Sequence, residues 1–324
     1  MERFKILQKL LLTQKEKADK MSKEQESISN FLSKLSEIAE NVNEYLDKWL
    51  PQNEEEYSAN LNEAMRYFVM AGGKRIRPAL TILTAEAFGF KGEAAYRAGC
   101  AYELYHSASL IHDDLPCMDD DDLRRGKPTN HKVFGEATAV LAGDCLMLMP
   151  YEWFGKLAEY GVSEDKIVKI IKIANEAFTY RGVIGGQMLD LRYENKKIGQ
   201  DTLERIHMGK TAALLRAPIL TGAVLADANN EQLKSLKTYS HKIGLLFQIV
   251  DDILDIESDA ATLGKNTGRD VALGKSTYPA LLGVDGAKDY AKKTYDEAIK
   301  AIEPLGDKMD DLKALALYLL NRKS

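Results

Sequence analysis

The stretch IGLLFQIVDDILDI, Ile243–Ile256, decides the fold. Apolar residues occupy every face of a helix drawn through it, the pattern of a helix buried all round. Yet it carries Asp251, Asp252 and Asp255. Asp251 and Asp255 stand four apart and share a helix face, so both reach one site. An unpaired carboxylate among leucine, isoleucine and valine is costly, so something positive must meet it.

The rest of the chain repeats the helical half of that pattern. Only eight prolines occur in 324 residues, and long segments show apolar residues at three- and four-residue spacing. Helices are predicted over 29–50, 55–70, 75–88, 92–114, 136–160, 164–185, 200–225, 231–257, 276–302 and 307–322. No alternating strand pattern competes. Breakers fall between these segments: Pro51, Gly72-Gly73, Pro116, Gly126 with Pro128, and the glycine-rich run 264–274. With no Pro/Gly/Ser linker and no solenoid-period repeat, the expectation is all-α: one bundle of about ten helices spanning 29–324. Residues 1–28 read as an N-terminal extension, a frayed helix. Its apolar run Ile6–Leu12 is too short and too interrupted for a signal peptide or membrane span.

Composition narrows the function. The chain is 45% hydrophobic and carries a net charge of −5, which gives no support for a nucleic-acid partner held by bulk electrostatics. Any anion must be held locally. Cys100, Cys117 and Cys145 are isolated and odd in number, which fits a reducing cytoplasm better than a disulfide framework.

A second acidic cluster lies upstream. In IHDDLPCMDDDDLRRGKPTNHK, from Ile111, six carboxylates fall within 113–122 and three cations, Arg124, Arg125 and Lys127, follow at once. Asp113, Asp114 and Asp119 form D-D-x-x-x-x-D at the C-terminal end of an apolar helix, where the backbone dipole disfavours acids. Pro116 pushes Leu115 out of helical geometry, so Asp119 can swing back toward the first pair. The arrangement predicts a cation cage. Oxygen ligands without histidine or thiolate select Mg²⁺ or Mn²⁺ over zinc, and the spacing excludes an EF-hand. A single such cluster is ordinarily solvated charge; two on apolar helices reverse that reading.

Candidate anion ligands are Lys74, Arg75 and Arg77 of GGKRIRP, then Arg124 and Arg125, Lys210 beside Thr211, and Lys265 and Lys275 of the glycine-rich run. Arginine suits bidentate phosphate recognition and lysine acts as a point charge. His106, seven residues before Asp113, shares its helix face and could donate to a phosphate; the histidine spacing supports no zinc site. Two groups of cations suggest two phosphorylated substrates, one held through metal and one by basic side chains alone.

HDDLPCMDDDDLRRGKPTNHKVFGEA, GGKRIRP, GGQMLDL, FQIVDDILD and LGKSTYPALL together resemble the trans-prenyl diphosphate synthases of bacterial and plastid type, the farnesyl and geranylgeranyl diphosphate synthases. The resemblance runs from about residue 30 to the C-terminus. It implies a homodimeric helical bundle around a deep cavity, with three Mg²⁺ ions per site and Mn²⁺ as the alternative. Asp113, Asp114 and Asp119 would hold the metals with Asp251, Asp252 and Asp255. Arg124, Lys210, Thr211, Gln248 and Lys265 would contact the allylic diphosphate. Lys74, Arg77, His106 and Arg125 would bind isopentenyl diphosphate, and Lys275 would close over the site. Ionisation of the allylic diphosphate, attack by the isopentenyl double bond and proton loss to pyrophosphate then need no histidine base.

Family farnesyl synthases commonly carry an aromatic five residues before the first aspartate. Here that position is Ala108, between Ser107 and Ser109, and Tyr105 stands one turn deeper. The expected product is geranylgeranyl diphosphate, with farnesyl diphosphate as the alternative and Tyr105 as the cavity floor. A terpene cyclase would replace the second aspartate cluster, and a regulatory subunit would lose one acidic motif; both motifs are intact. A calcium-binding or structural acidic protein is the outermost alternative.

Overall fold

The computed structural model describes residues 2–52, 58–261 and 276–322, with side chains from Ser22 onward apart from 258–261. Thirteen α-helices account for nearly all of it: α1 (Glu2–Trp49), α2 (Ala59–Val69), α3 (Ile76–Ala87), α4 (Glu93–Asp113), α5 (Asn130–Phe134), α6 (Glu136–Gly155), α7 (Glu164–Phe178), α8 (Val183–Tyr193), α9 (Gln200–His207), α10 (Ala213–Leu225), α11 (Asn230–Ala261), α12 (Tyr278–Ile302) and α13 (Asp310–Asn321). The all-α expectation holds. The boundary placed at 28/29 falls inside α1, which runs through it as one 48-residue helix.

Helices apolar on every side occupy the centre. α4 and α10 bury residues around their whole circumference, from Ala94 to Ile111 and from Ala213 to Leu225. α3, α6 and the middle of α11 pack on them, while α7 shows only one buried stripe, Ile167, Ile170, Ala174 and Ala177. Two polar links fix the central helices in register. The Tyr102 hydroxyl on α4 lies 2.6 Å from that of Thr221 on α10. Arg75, the left-handed residue that starts α3, donates to Glu103 of α4 at 2.6 Å, to Asn43 of α1 at 2.9 Å and to the Val69 carbonyl at 2.7 Å. With both partners of the ion pair buried, Arg75 is a staple of the fold and not an anion ligand, because exposing or removing either charge would leave the other unpaired in the core.

Three departures from the sequence reading bear on function. The helix expected over 164–185 ends at Phe178, and a new helix, α8, begins at Val183. The helix expected over 200–225 is interrupted by a π-helical turn, Met208–Ala212. A two-residue ribbon, β1 (Leu123–Arg124) with β2 (Lys127–Pro128), pairs Arg124 with Lys127. Its turn, Arg125-Gly126, has φ of 54° and 76°, the doubly left-handed geometry of a tight hairpin.

Candidate active site

The first acidic cluster folds as its sequence suggests. After α4 ends at Asp113, the chain turns through Pro116 and comes back, so that the Asp119 amide donates to the Asp113 carbonyl at 2.9 Å and the Asp121 amide to that of Asp114 at 3.2 Å. Asp114 is fully buried and receives the Arg124 guanidinium, from Nε at 2.9 Å and from a second, closer nitrogen that also reaches Asp121 at 2.8 Å. The hairpin explains why two cations follow the acids. Arg124 turns toward them, whereas Arg125 crosses to the Gly72 carbonyl and packs on Gly73.

Arg125 thereby joins a second basic group. Burial holds the Arg77 guanidinium down to about 10, against the Glu103 carboxylate and alongside Arg125. His106 is held well below the usual imidazole range, first by burial and then by Arg77, Arg125, Arg75 and Arg124, so it is neutral. Lys74 lies 3.3 Å from the Tyr318 hydroxyl at the edge of this group. Arg77 and Arg125 beside a neutral imidazole suit an anionic ligand, to which the histidine can still donate a hydrogen bond.

The second cluster is divided in its roles. Asp252 is turned inward, 2% exposed; one oxygen accepts from Gln248 at 3.2 Å and the other from the Tyr278 amide at 3.0 Å, the first residue of α12. Asp251 accepts from Arg322 at 2.6 Å, just beyond α13, and that guanidinium also lies over the Phe247 ring. Arg322 and its contact with Asp251 went unread in the sequence, where it is one more cation near a chain end.

Lys210 connects the two walls. It rises from the π-helical turn and donates to Asp190 of α8 at 2.7 Å. Burial opposes its charge, but Asp190, Asp113 and Asp119 outweigh that and raise its pKa. Asp113 in turn is pushed up to about 6, by burial first and by Asp119 and Asp114 after it, despite Lys210 and Arg124. The wide turn sits where α8 touches it backbone to backbone: a Cβ on Gly186 would meet the Lys210 nitrogen at 2.1 Å. This close approach is the physical role of the second glycine in GGQMLDL; a Cβ on the first, Gly185, would meet the Tyr180 carbonyl oxygen at 2.0 Å. Lys210, Thr211 and Gln248 line a polar chamber together with Asp190, His207 and Asp252. Burial takes the His207 imidazole down to about 3, so it too is neutral.

Below Asp113 opens an apolar cavity of about 370 Å³, lined by Ser109, Met118, Met147, Phe178, Met188 and Leu191 among others. Ala108 is fully buried, and Tyr105 does not reach the cavity. The Tyr105 ring instead lies behind Phe178, centroids 4.4 Å apart, and edge-on to Tyr151 at 6.4 Å. Phe178 is therefore the ring that faces the cavity; the reading that stopped at Tyr105 missed it because it comes from another helix.

Lys265 and Lys275 lie outside the described residues. Among the described residues, no three acidic, histidine or cysteine side chains converge closely enough to enclose an ion. The donors nonetheless suit a hard divalent cation: all are carboxylate oxygens, the Asp114 Oδ2 atom is buried without a hydrogen bond, and the Asp113 carboxylate is disfavoured by burial and by its neighbours Asp119 and Asp114, which a cation would relieve.

The family profile described as polyprenyl synthetase matches residues 58–316. The chain belongs to the polyprenyl synthetase family. It is a prenyltransferase of all-α fold. It is 46% identical, over 264 residues, to the chloroplastic geranylgeranyl pyrophosphate synthase of Catharanthus roseus, covering 81% of this chain and 74% of that one. It is 41% identical to the heterodimeric geranylgeranyl pyrophosphate synthase large subunit 1 of Arabidopsis thaliana, covering 95% and 84%. The apo crystal structure of a FPP/GFPP synthase from Zymomonas mobilis superposes with a TM-score of 0.81 at 35% identity, over 90% of this chain and 99% of that one. Among the described residues of the prenyltransferase, no helix is long and apolar enough to cross a membrane.

Proposed function

We propose that this prenyltransferase condenses isopentenyl diphosphate with an allylic diphosphate, releases pyrophosphate, and makes geranylgeranyl diphosphate as its principal product. The observation that carries this reading is the stacking of charge over hydrocarbon: Asp113 lies between Lys210 on one side and an apolar cavity beneath. An amphiphile with an anionic head and an isoprenoid tail matches both halves.

Asp113, Asp114 and Asp119, with Asp251 and Asp255 opposite, would hold Mg²⁺ or Mn²⁺, three ions per site. When bound, the metal neutralises charge developing on the departing pyrophosphate. Lys210 and Arg124 bind the same head group directly and pre-pay the ordering of the leaving group. Lys74, Arg77 and Arg125 hold isopentenyl diphosphate, and neutral His106 donates to it without adding a charge to an already crowded site. Thr211 and Gln248 line the chamber where the new bond forms, and their oxygens face a positive centre while water is kept out. Arg124 must release Asp114, and Lys210 must share Asp190, as the diphosphate enters.

Phe178, backed by Tyr105, supplies a floor to the 370 Å³ cavity. Ser109 lines the cavity and Ala108 beside it carries no ring, which favours twenty carbons over fifteen. Purified enzyme given isopentenyl and farnesyl diphosphates should form a twenty-carbon product by chromatography; its absence would return the assignment to farnesyl diphosphate. Ala108→Tyr should shorten the product, and Phe178→Ala or Tyr105→Ala should lengthen it by about one isoprene unit.

A homodimer is part of the proposal. Leu141 and Leu148 on α6, with Tyr180, Ile184 and Met188 around α8, are 48–72% exposed and form the apolar face such a dimer would cover. A cytoplasmic location completes it, with Cys100, Cys117 and Cys145 all free thiols.

A further inference from the structure

At the end of the bundle remote from the acids, α7, α10 and α11 leave a groove of about 430 Å³ between them. Its floor is hydrocarbon: Ile173 of α7, Leu220 and Val224 of α10, and Leu233 of α11. Its two rims are cationic. Lys169 and Lys172, three apart on α7, line one, and Lys234 and Lys237, three apart on α11, line the other.

These lysines differ from the cations beside them on the same two helices. Lys166, on the same helix, is neutralised by Asp227 at 2.6 Å, and Lys242, further along α11, by Glu297 at 2.6 Å. Among the described residues, none of the four rim lysines forms an ion pair, although Asp165 stands four residues before Lys169 and Glu231 three before Lys234. The groove thus has a half-buried apolar floor with four exposed lysines, none of them ion-paired among the described residues, around it. A ligand that is both apolar and anionic satisfies both at once.

We infer that the lysine-rimmed groove between α7 and α11 docks the protein on an anionic lipid bilayer, with phosphate head groups between the two lysine pairs and acyl chain on the floor. A bilayer is favoured over one free amphiphile because the four cations are divided between two helices, two on α7 and two on α11. Head groups presented side by side engage both, and each lysine at an anionic surface adds to the attraction. Along α11, Lys237 stands fourteen residues before Asp251, roughly 21 Å at the rise of an α-helix, so docking here leaves the mouth of the active site open.

The inference stands apart from the proposed function and is tested without turnover. The full chain is mixed with sedimentable vesicles of phosphatidylcholine, with or without phosphatidylglycerol, across a salt series. Wild type should sediment with the anionic vesicles only, and less so as salt rises. K169E/K172E/K234E/K237E should weaken that binding about a hundredfold, the four-fold Lys→Arg variant should retain it, and Leu233→Ser should weaken it at unchanged charge. Circular dichroism and prenyltransferase turnover, unchanged in each variant, certify the fold. Wild-type sedimentation equal with neutral and anionic vesicles, or equal binding by the four-fold Glu variant, would overturn the inference. So would a groove that binds a soluble acidic amphipathic peptide but ignores vesicles, or a four-fold Glu variant that changes only the oligomeric state.

Discussion

The two acidic clusters look alike in the sequence and are built differently. The one after α4 lies where a helix has ended, on backbone that doubles back through Pro116, and burial, with Asp119 and Asp114 adding to it, holds Asp113 near pH 6. The one on α11 lies inside an unbroken helix, and its middle aspartate is consumed by the fold: Asp252 ties Gln248 to the start of α12. An acid placed beyond a helix end is available for chemistry; an acid placed within a packed helix must first be satisfied locally. Three carboxylates at similar spacing therefore need not serve equally.

The sharpest way to break this contrast is to remove one acid from each side. Asp113→Ala should lower metal-dependent pyrophosphate release about a thousandfold while leaving the melting temperature close to that of wild type. Near-normal turnover would remove Asp113 from the chemistry. Asp252→Ala should instead cost stability, about 2–3 kcal/mol in denaturant melts, because the Tyr278 amide and the Gln248 side chain lose a buried acceptor. If the two variants were equally destabilised, the division of roles would fail.

A finer test uses pH. A carboxyl whose folded pKa is raised binds protons more tightly in the native state, so metal-free stability should fall as pH rises from about 4 to about 6. Asp113→Asn should flatten that slope and stabilise the metal-free protein by on the order of 1–2 kcal/mol at neutral pH. Mg²⁺ affinity of the wild type should weaken as pH drops through the same window, readable by calorimetry. A slope unchanged by the asparagine would mean that another group titrates there. Smallest of all, Arg322→Ala should leave the fold intact within about 1 kcal/mol and alter the apparent affinity for metal and diphosphate, since Asp251 loses the Arg322 guanidinium.

Much of this was legible in the residues. Helical periodicity and scarce proline gave the all-α bundle, and Pro116 correctly marked where Asp119 folds back. What escaped reading has physical causes. The break at Thr179–Gly182 depends on α8 touching the π-helical turn, a tertiary contact that no local spacing announces. Arg75 sits in the same GGKRIRP run as Arg77, and only the position of Glu103 on another helix separates a buried staple from an anion ligand. The cavity floor was sought on α4 alone, whereas Phe178 arrives from α7. Partners such as Asp190 and Arg322 are distant in the chain, and charge in a sequence carries no address.

The glycine seam between α8 and the turn at Met208–Ala212 has one more consequence. With no side chain lying between Gly186 and the Lys210 backbone, the turn that carries the ammonium rests on main chain and has no soft padding to absorb change. Evolution can therefore retune the walls of the hydrocarbon pocket freely, rotamer by rotamer, but any methyl group added at this seam would pry the cation from its target and disarm the whole apparatus at one stroke.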